Sequence, residues 1–314
     1  MLMDCAKFLQ SANVSKEIID IILKTVKPAY EVIIGEPENY LSVGNSRMGG
    51  MPDLPESISY PFNHLGFPYQ LVVQLNLEDF QMIVVPNLPK TGILYVFMDT
   101  STYKHKIIYY DNHLNDLKKI TYELSIFKTY HLPFDSFKIK FEPVNTIDDN
   151  LLKILLRNDL SIDYEILQNN LLKESTRFGG NEYSPLGSFK IDGLCFKSNL
   201  SDLEHKMYNY NLHYDGIDTI EQYEKSFNVI DNLNDAQKVD YFNRKKEEQI
   251  SAQKFVNNRG YYQELLNKWH TLFICQSENK CFEWGSPSFL AFYIHEDDIL
   301  NLNFSNTYLN GDYG

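Results

Sequence analysis

A chain of 314 residues, 43% apolar and 23% charged, has room for one or two globular domains and lacks the composition of a disordered segment. Its formal net charge of −13 repels phosphate, which argues against nucleic-acid binding and favours a basic protein as partner. No stretch approaches the ~20 apolar residues of a membrane span, and no basic-then-apolar leader opens the chain, so a cytoplasmic protein is expected.

The cysteines Cys5, Cys195, Cys275 and Cys281 show no C-x-x-C spacing. They are expected to be reduced thiols, with neither a disulfide framework nor a metal or cofactor site. The 22 Tyr and 20 Phe favour pleated, half-buried surfaces and so lean the chain towards strands.

In chain order, residues 14–27 predict a helix. Ser15 stands at the cap, Ile18, Ile19, Ile22 and Val26 recur at helical spacing, and Pro28 ends it. From Tyr30 the texture becomes short apolar runs between Gly, Pro, Asn and Asp. Strands are expected at Val32–Ile34, Leu71–Leu77, Ile93–Met98, Ile107–Tyr110 and Phe137–Phe141.

Residues 148–174 read as helical again. The charged segment 234–255 reads as a solvated surface helix, its Arg244-Lys245-Lys246 run followed at once by Glu247 and Glu248. Strand texture returns at Leu272–Gln276 and Phe289–Ile294. The expected division is a helical segment 1–28, a first β-rich half 29–147, a helical connector 148–178, and a second half 179–314.

The two β-rich regions look like copies. Leu71–Leu75 resembles Leu272–Gln276, each run carrying a glutamine towards its end, and Ile93–Met98 resembles Phe289–Ile294. This predicts an α+β, β-rich fold in which two similar halves lie side by side.

Ser46-Arg47-Met48-Gly49-Gly50-Met51-Pro52-Asp53-Leu54-Pro55 is the sharpest local pattern. Tyr60-Pro61, Leu71–Leu77 and Gly92-Ile93-Leu94-Tyr95-Val96-Phe97 follow it. Further on come Gln276, Trp284-Gly285, Glu296-Asp297-Asp298-Ile299 and Asn303-Phe304-Ser305. This order, over roughly residues 30–307, resembles the YwqG-like family, a bacterial family of unknown function. The resemblance implies a mostly antiparallel β-roll of two similar halves with peripheral helices, and it implies no established activity. The chain departs from the family at Ser286, where Asp often follows Trp-Gly, and at Ser188, where the Leu-Gly-Tyr-Pro segment is not kept.

Several residues are candidates for a site. Gly49 and Gly50 beside Ser46 and Arg47 would form an anion-binding nest of amides, or else a turn that needs positive φ. Gln74 and Gln276 would read a ligand between the halves, or lock two sheets together. Trp284 would wall the same cleft. His295-Glu296-Asp297-Asp298 has neither H-E-x-x-H nor EF-hand spacing and is expected to be a capped turn, with no metal. Alternation of Tyr208, Tyr210, Leu212 and Tyr214 with polar residues describes a half-buried strand or an aromatic binding strip.

No nucleophile elbow, Walker loop or dinucleotide fingerprint is present. The expectation is a non-enzymatic intracellular protein-interaction module, of immunity or regulatory type, meeting a basic partner. The alternative is a small-molecule binder or enzyme with a cleft between its halves.

Overall fold

A computed structural model describes residues 2–111, 113–121, 132–147, 177–179, 267–277, 281–282 and 289–312, with isolated positions between 234 and 264. The expected helix at 148–174, the tyrosine strip at 208–214, and Ser188, Trp284 and Ser286 lie outside the described residues; of the expected helix at 234–255, Ala236, Gln237, Val239, Asp240 and Asn243 are described as helical.

Two helices open the chain, α1 at Leu2–Ser11 and α2 at Lys16–Thr25. Ser15 caps α2 by accepting from the Ile18 amide, and Ile19 and Ile22 are its buried face. The chain is already extended at Lys27, just before Pro28. No helix among the described residues is long and apolar enough to cross a membrane.

The strands are β1 Lys27–Pro37, β2 Arg47–Met48, β3 Asp53–Pro55, β4 Gln70–Asn76, β5 Ile93–Asp99 and β6 Lys104–Tyr110. After them come β7 Leu117–Lys119, β8 Phe137–Thr146, β9 Arg177–Gly179, β10 Trp269–Gln276, β11 Phe289–His295 and β12 Tyr308–Asp312. A short helix, α3 at Glu296–Leu300, follows β11. All the strands expected from apolar runs are present. The additional ones, β2, β3, β7, β9 and β12, are five residues long or shorter and carry charged or glycine residues.

Ten strands form one antiparallel sheet in the order β12-β11-β10-β9-β1-β8-β2-β4-β5-β6, while β3 and β7 pair separately. The sheet rolls into a nearly closed barrel. Its order is a palindrome of roles about the long β1–β8 pair. Outward from β8 come a short strand, a hairpin and a third strand, and the same series runs outward from β1.

The two hairpins match in detail. In β4–β5, Leu71 faces Phe97 and Val73 faces Val96, so Val72 is an extra residue. In β10–β11, Thr271 faces Tyr293 and Phe273 faces Phe292, so Leu272 is extra. A bulge increases local twist and lets two successive residues share a face. Val72 and Val73 both enter the barrel core, as do Leu272 and Phe273.

The interior is filled from both hairpins by Leu94, Val96, Met98, Leu290, Phe292 and Ile294. The alternate residues Ile93, Tyr95 and Phe97 face outward and are covered by Leu54, Tyr60 and Leu117. Both faces of β5 are therefore buried, which is why it reads as an unbroken apolar run.

The matched bulges correct one expectation. They align Val72 with Leu272, so Gln74 corresponds to Ile274 and Gln276 to Asn76. The two glutamines are not equivalent. The match read from sequence was one residue out of register, which in a strand exchanges the two faces.

The rolled sheet meets itself at its ends. His105 on β6 lies 2.8 Å through Nε2 from Thr307 Oγ1, just before β12, and its ring sits edge-on to Phe292. Burial lowers the His105 pKa to about 4 from 6.5. The unfolded chain therefore takes up this proton first, and acidification from about pH 6.5 to 4 removes stability. The gap corresponds to about 3 kcal/mol at ~1.4 kcal/mol per unit. Urea midpoints measured at pH 7 and pH 4.5 are expected to differ accordingly, and His105→Asn to flatten that dependence. An unchanged pH slope in the variant would show that the seam does not carry it.

Candidate functional site

The glycine motif comes first, because backbone geometry decides what its neighbours can do. Gly49 and Gly50 have φ of +68° and +71°, the left-handed region that favours glycine. A Cβ on Gly49 would collide with the Asp135 carbonyl, and one on Gly50 with the Tyr40 hydroxyl and Ser136. Their amides donate to Val72 O at 2.9 Å and Phe134 O at 3.0 Å. Both donors of the expected nest are thus spent on the fold, and the motif is a tight structural turn.

The turn delivers Ser46 and Arg47 into the interior. Ser46 Oγ donates to Asp79 Oδ2 at 2.6 Å and accepts from the Asn76 amide at 2.8 Å. Arg47 is 0% exposed and pairs with Asp53, which is 1% exposed. Its guanidinium also donates to Met51 O, Ser42 O and Asn45 Oδ1. Arg47 Nε has no hydrogen-bond partner among the described residues.

Gln74 faces Arg47 across β2 and β4. Its Oε1 accepts from the Asp53 amide at 2.8 Å, and its Nε2 donates to Asn45 O at 2.8 Å and to Asp53 Oδ2 at 3.1 Å. The Tyr95 hydroxyl donates to Asp53 O at 2.5 Å. Burial, then the nearby Asp53, push the Tyr95 pKa far upward, so it stays a neutral donor. Asp53 is thus the hub, yet no periodicity marks it in the sequence. The one available clue was its place six residues after Arg47, between two prolines.

Outside the hub the network holds a loop. Glu38 accepts from the Tyr40 amide and from Asn45 Nδ2, each at 2.8 Å. Burial raises the Glu38 pKa most, but these hydrogen bonds and the Arg47 charge outweigh it, and the net shift is downward. Asn39 accepts from the Leu41 amide and Asp53 from the Gly44 amide. Arg47 Cζ and Lys119 Nζ lie over the Tyr40 ring, 4.9 and 3.9 Å from its centroid.

The structure therefore brings Ser46, Arg47, Gly49, Gly50 and Gln74 together but turns their polar atoms inward. Gln276 lies elsewhere, half-buried at the end of β10. Near the C-terminus, His295 rather than an aspartate caps α3, accepting from the Asp297 amide at 3.2 Å. The Asp298 carboxylate is occupied by Asn306 and Asn303.

A second copy of the glycine motif went unrecognised in the sequence. Thr176-Arg177-Phe178-Gly179-Gly180 repeats Ser46-Arg47-Met48-Gly49-Gly50. Arg177 faces Ile274 and Phe178 faces Phe273, just as Arg47 faces Gln74 and Met48 faces Val73. Arg177 is buried, and Glu31 lies opposite it on β1, where Lys138 lies opposite Arg47 on β8.

A cavity lies away from these residues, beneath the β4–β5 loop. The loop between β4 and β5 crosses onto β9, and Leu77, Phe80, Met82, Val84, Lys90 and Phe178 help enclose about 180 Å³. After β10, Phe282 packs edge-on to Phe134, with ring centroids 4.6 Å apart.

Residues 46–312 match the family described as a domain of unknown function, DUF1963. The match begins at Ser46 of the first glycine motif and ends at the last residue of β12. No curated protein matches the chain.

Asp53→Ala would leave a buried guanidinium without its counter-ion, at a cost of about 3–5 kcal/mol. A large drop in the urea midpoint is expected. Lys118→Ala breaks an ion pair whose partners are 66% and 81% exposed, and is expected to leave the midpoint nearly unchanged. Equal effects from the two substitutions would refute a structural role for the hub.

Proposed function

The chain belongs to the family of the DUF1963 domain, and on that premise we propose that it is a non-enzymatic protein-interaction module. The observation that carries this reading is the loop 38–46. Its backbone is tied down at Tyr40, Leu41, Ser42, Gly44 and Asn45, while Leu41 is 84% and Val43 is 47% exposed. Holding apolar side chains in water on a fixed loop lowers the ordering cost of binding, as in preorganised recognition surfaces. The buried Arg47, Asp53 and Gln74 serve this display and do not take a ligand themselves.

The partner is a basic protein, since the net charge of −13 accelerates encounter with opposite charge. An intracellular immunity or regulatory role fits such a partner. The narrower YwqG-like assignment belongs to the same reading, as does descent from a duplicated half. The duplication is supported by the two Arg-x-Gly-Gly segments and the two matched bulges.

A photo-crosslinking residue in place of Leu41, compared with one in place of Leu300, tests the reading in host cells. Leu300 is 60% exposed on α3 and serves as the control position. One basic polypeptide is expected from position 41 and not from 300. The purified partner is expected to bind Leu41→Asp/Val43→Asp at least about tenfold more weakly, with an unchanged melting temperature. Identical crosslinks from the two positions, or unaltered affinity of the double variant, would remove the loop from consideration.

A further inference from the structure

We propose that the cavity beneath the β4–β5 loop is a binding site for a small aromatic or branched apolar carboxylate. The cavity is part-open, holds about 180 Å³, and is walled by apolar residues that include Phe80, Met82, Val84, Leu88 and Phe178. Its size sets the ligand, since an apolar void of about 150 Å³ accepts a benzene ring. One six-membered ring or a branched chain with a short polar substituent fits; a fused polycycle does not.

The walls are fixed from several sides. The Tyr30 hydroxyl accepts from the Gln81 and Met82 amides at 2.9 and 2.8 Å. Phe80 stacks on Phe178 at 4.6 Å and tilts against Phe141 at 4.5 Å. Asn87 Nδ2 donates to Glu296 Oε1 at 3.3 Å, tying the loop to α3. Gly179, with φ of +76°, is where the loop rests. A Cβ there would lie 2.7 Å from Val84 Cγ2, so the loop closes over β9 only because this position is glycine. The site is thus assembled from both arms of the sheet, and its walls are tied to Tyr30, Phe141 and Glu296 around it.

Charge selects the substituent. Lys90 is the charged side chain of the lining, and none of the described carboxylates pairs with it. The chain as a whole repels anions, but over distances beyond the ~10 Å screening length that repulsion is damped, and the local ammonium decides. A carboxylate at the mouth of the cavity meets Lys90 while its apolar body lies against Phe80 and Leu88.

Nuclear magnetic resonance titration of the full chain with benzoate, benzyl alcohol and benzylamine tests this, because the three share a ring and differ in charge. Benzoate is expected to shift the methyl signals of Met82, Val84 and Leu88, and to bind about fivefold more tightly than benzyl alcohol. Benzylamine is expected to bind more weakly than either. Lys90→Gln, at an exposed position that leaves the fold intact, is expected to abolish the preference for benzoate while ring binding persists. The proposal is overturned if none of the three shifts those methyls, if benzylamine equals benzoate, or if Lys90→Gln keeps the preference. Because Leu41 and Val43 take no part, these results are independent of the loop's role in partner binding.

Discussion

A guanidinium withdrawn from water must be given a counter-charge and acceptors for its remaining protons, and much of the first arm of this barrel follows from meeting that demand for Arg47. Asp53 supplies the charge. Ser42, Asn45 and Met51 supply the acceptors, all within a few residues of chain. Gln74 then satisfies the acid from β4, and Tyr95 reaches the same stretch of backbone from β5. A single buried cation therefore ties β2, β3, β4 and β5 to the loop 38–46. Such a cluster contributes less to net stability than to uniqueness, because any other arrangement strands a charge.

The equivalent arginine of the other arm stands in a different setting. Arg47 faces Gln74, with Tyr95 next in register, whereas Arg177 faces Ile274, with Ala291 next in register, and neither of these offers a polar side-chain atom. A glutamate, Glu31, lies opposite Arg177 in register, while a lysine, Lys138, lies opposite Arg47. The two arms share backbone geometry to the level of a bulged residue, yet they surround their arginines by different means. The backbones of the two arms correspond and the side chains facing the arginines do not. That is the expected result when packing constrains strand register more tightly than it constrains partner choice.

How legible each element was in the sequence follows from its environment. β5 was plain because Leu94, Val96 and Met98 face the barrel while Ile93, Tyr95 and Phe97 face Leu54 and Tyr60, so nothing interrupts the apolar run. β2 and β9 were opaque. Each is two or three residues long and begins with an arginine, which periodicity scores as surface. Ser46, Arg47 and Gln74 stand out in the sequence as polar residues in an apolar setting, and they lie together in the structure. Asp53 was passed over because its role depends on a contact between chain neighbours brought together by a turn. The register of the two hairpins was missed by one residue because a bulge leaves no compositional mark: Val72 and Leu272 look like any other strand residue.

The two glycine motifs make the last step of the argument. At Gly49 the missing side chain admits the Asp135 carbonyl, the segment leading into β8, so the motif closes its own arm. At Gly179 the missing side chain admits Val84, a residue of the opposite arm. The same local conformation, with φ of +68° and +76°, thus performs a local closure in one place and a crossing in the other. The crossing buries Phe80 between Phe178 and Phe141 and leaves beside it a space that Leu88 and Pro89 do not fill. A protein that needed only a solid barrel could place a larger residue in that loop. That the loop is anchored by Tyr30 and Asn87 on either side of an open volume argues that the volume itself is what the anchoring maintains.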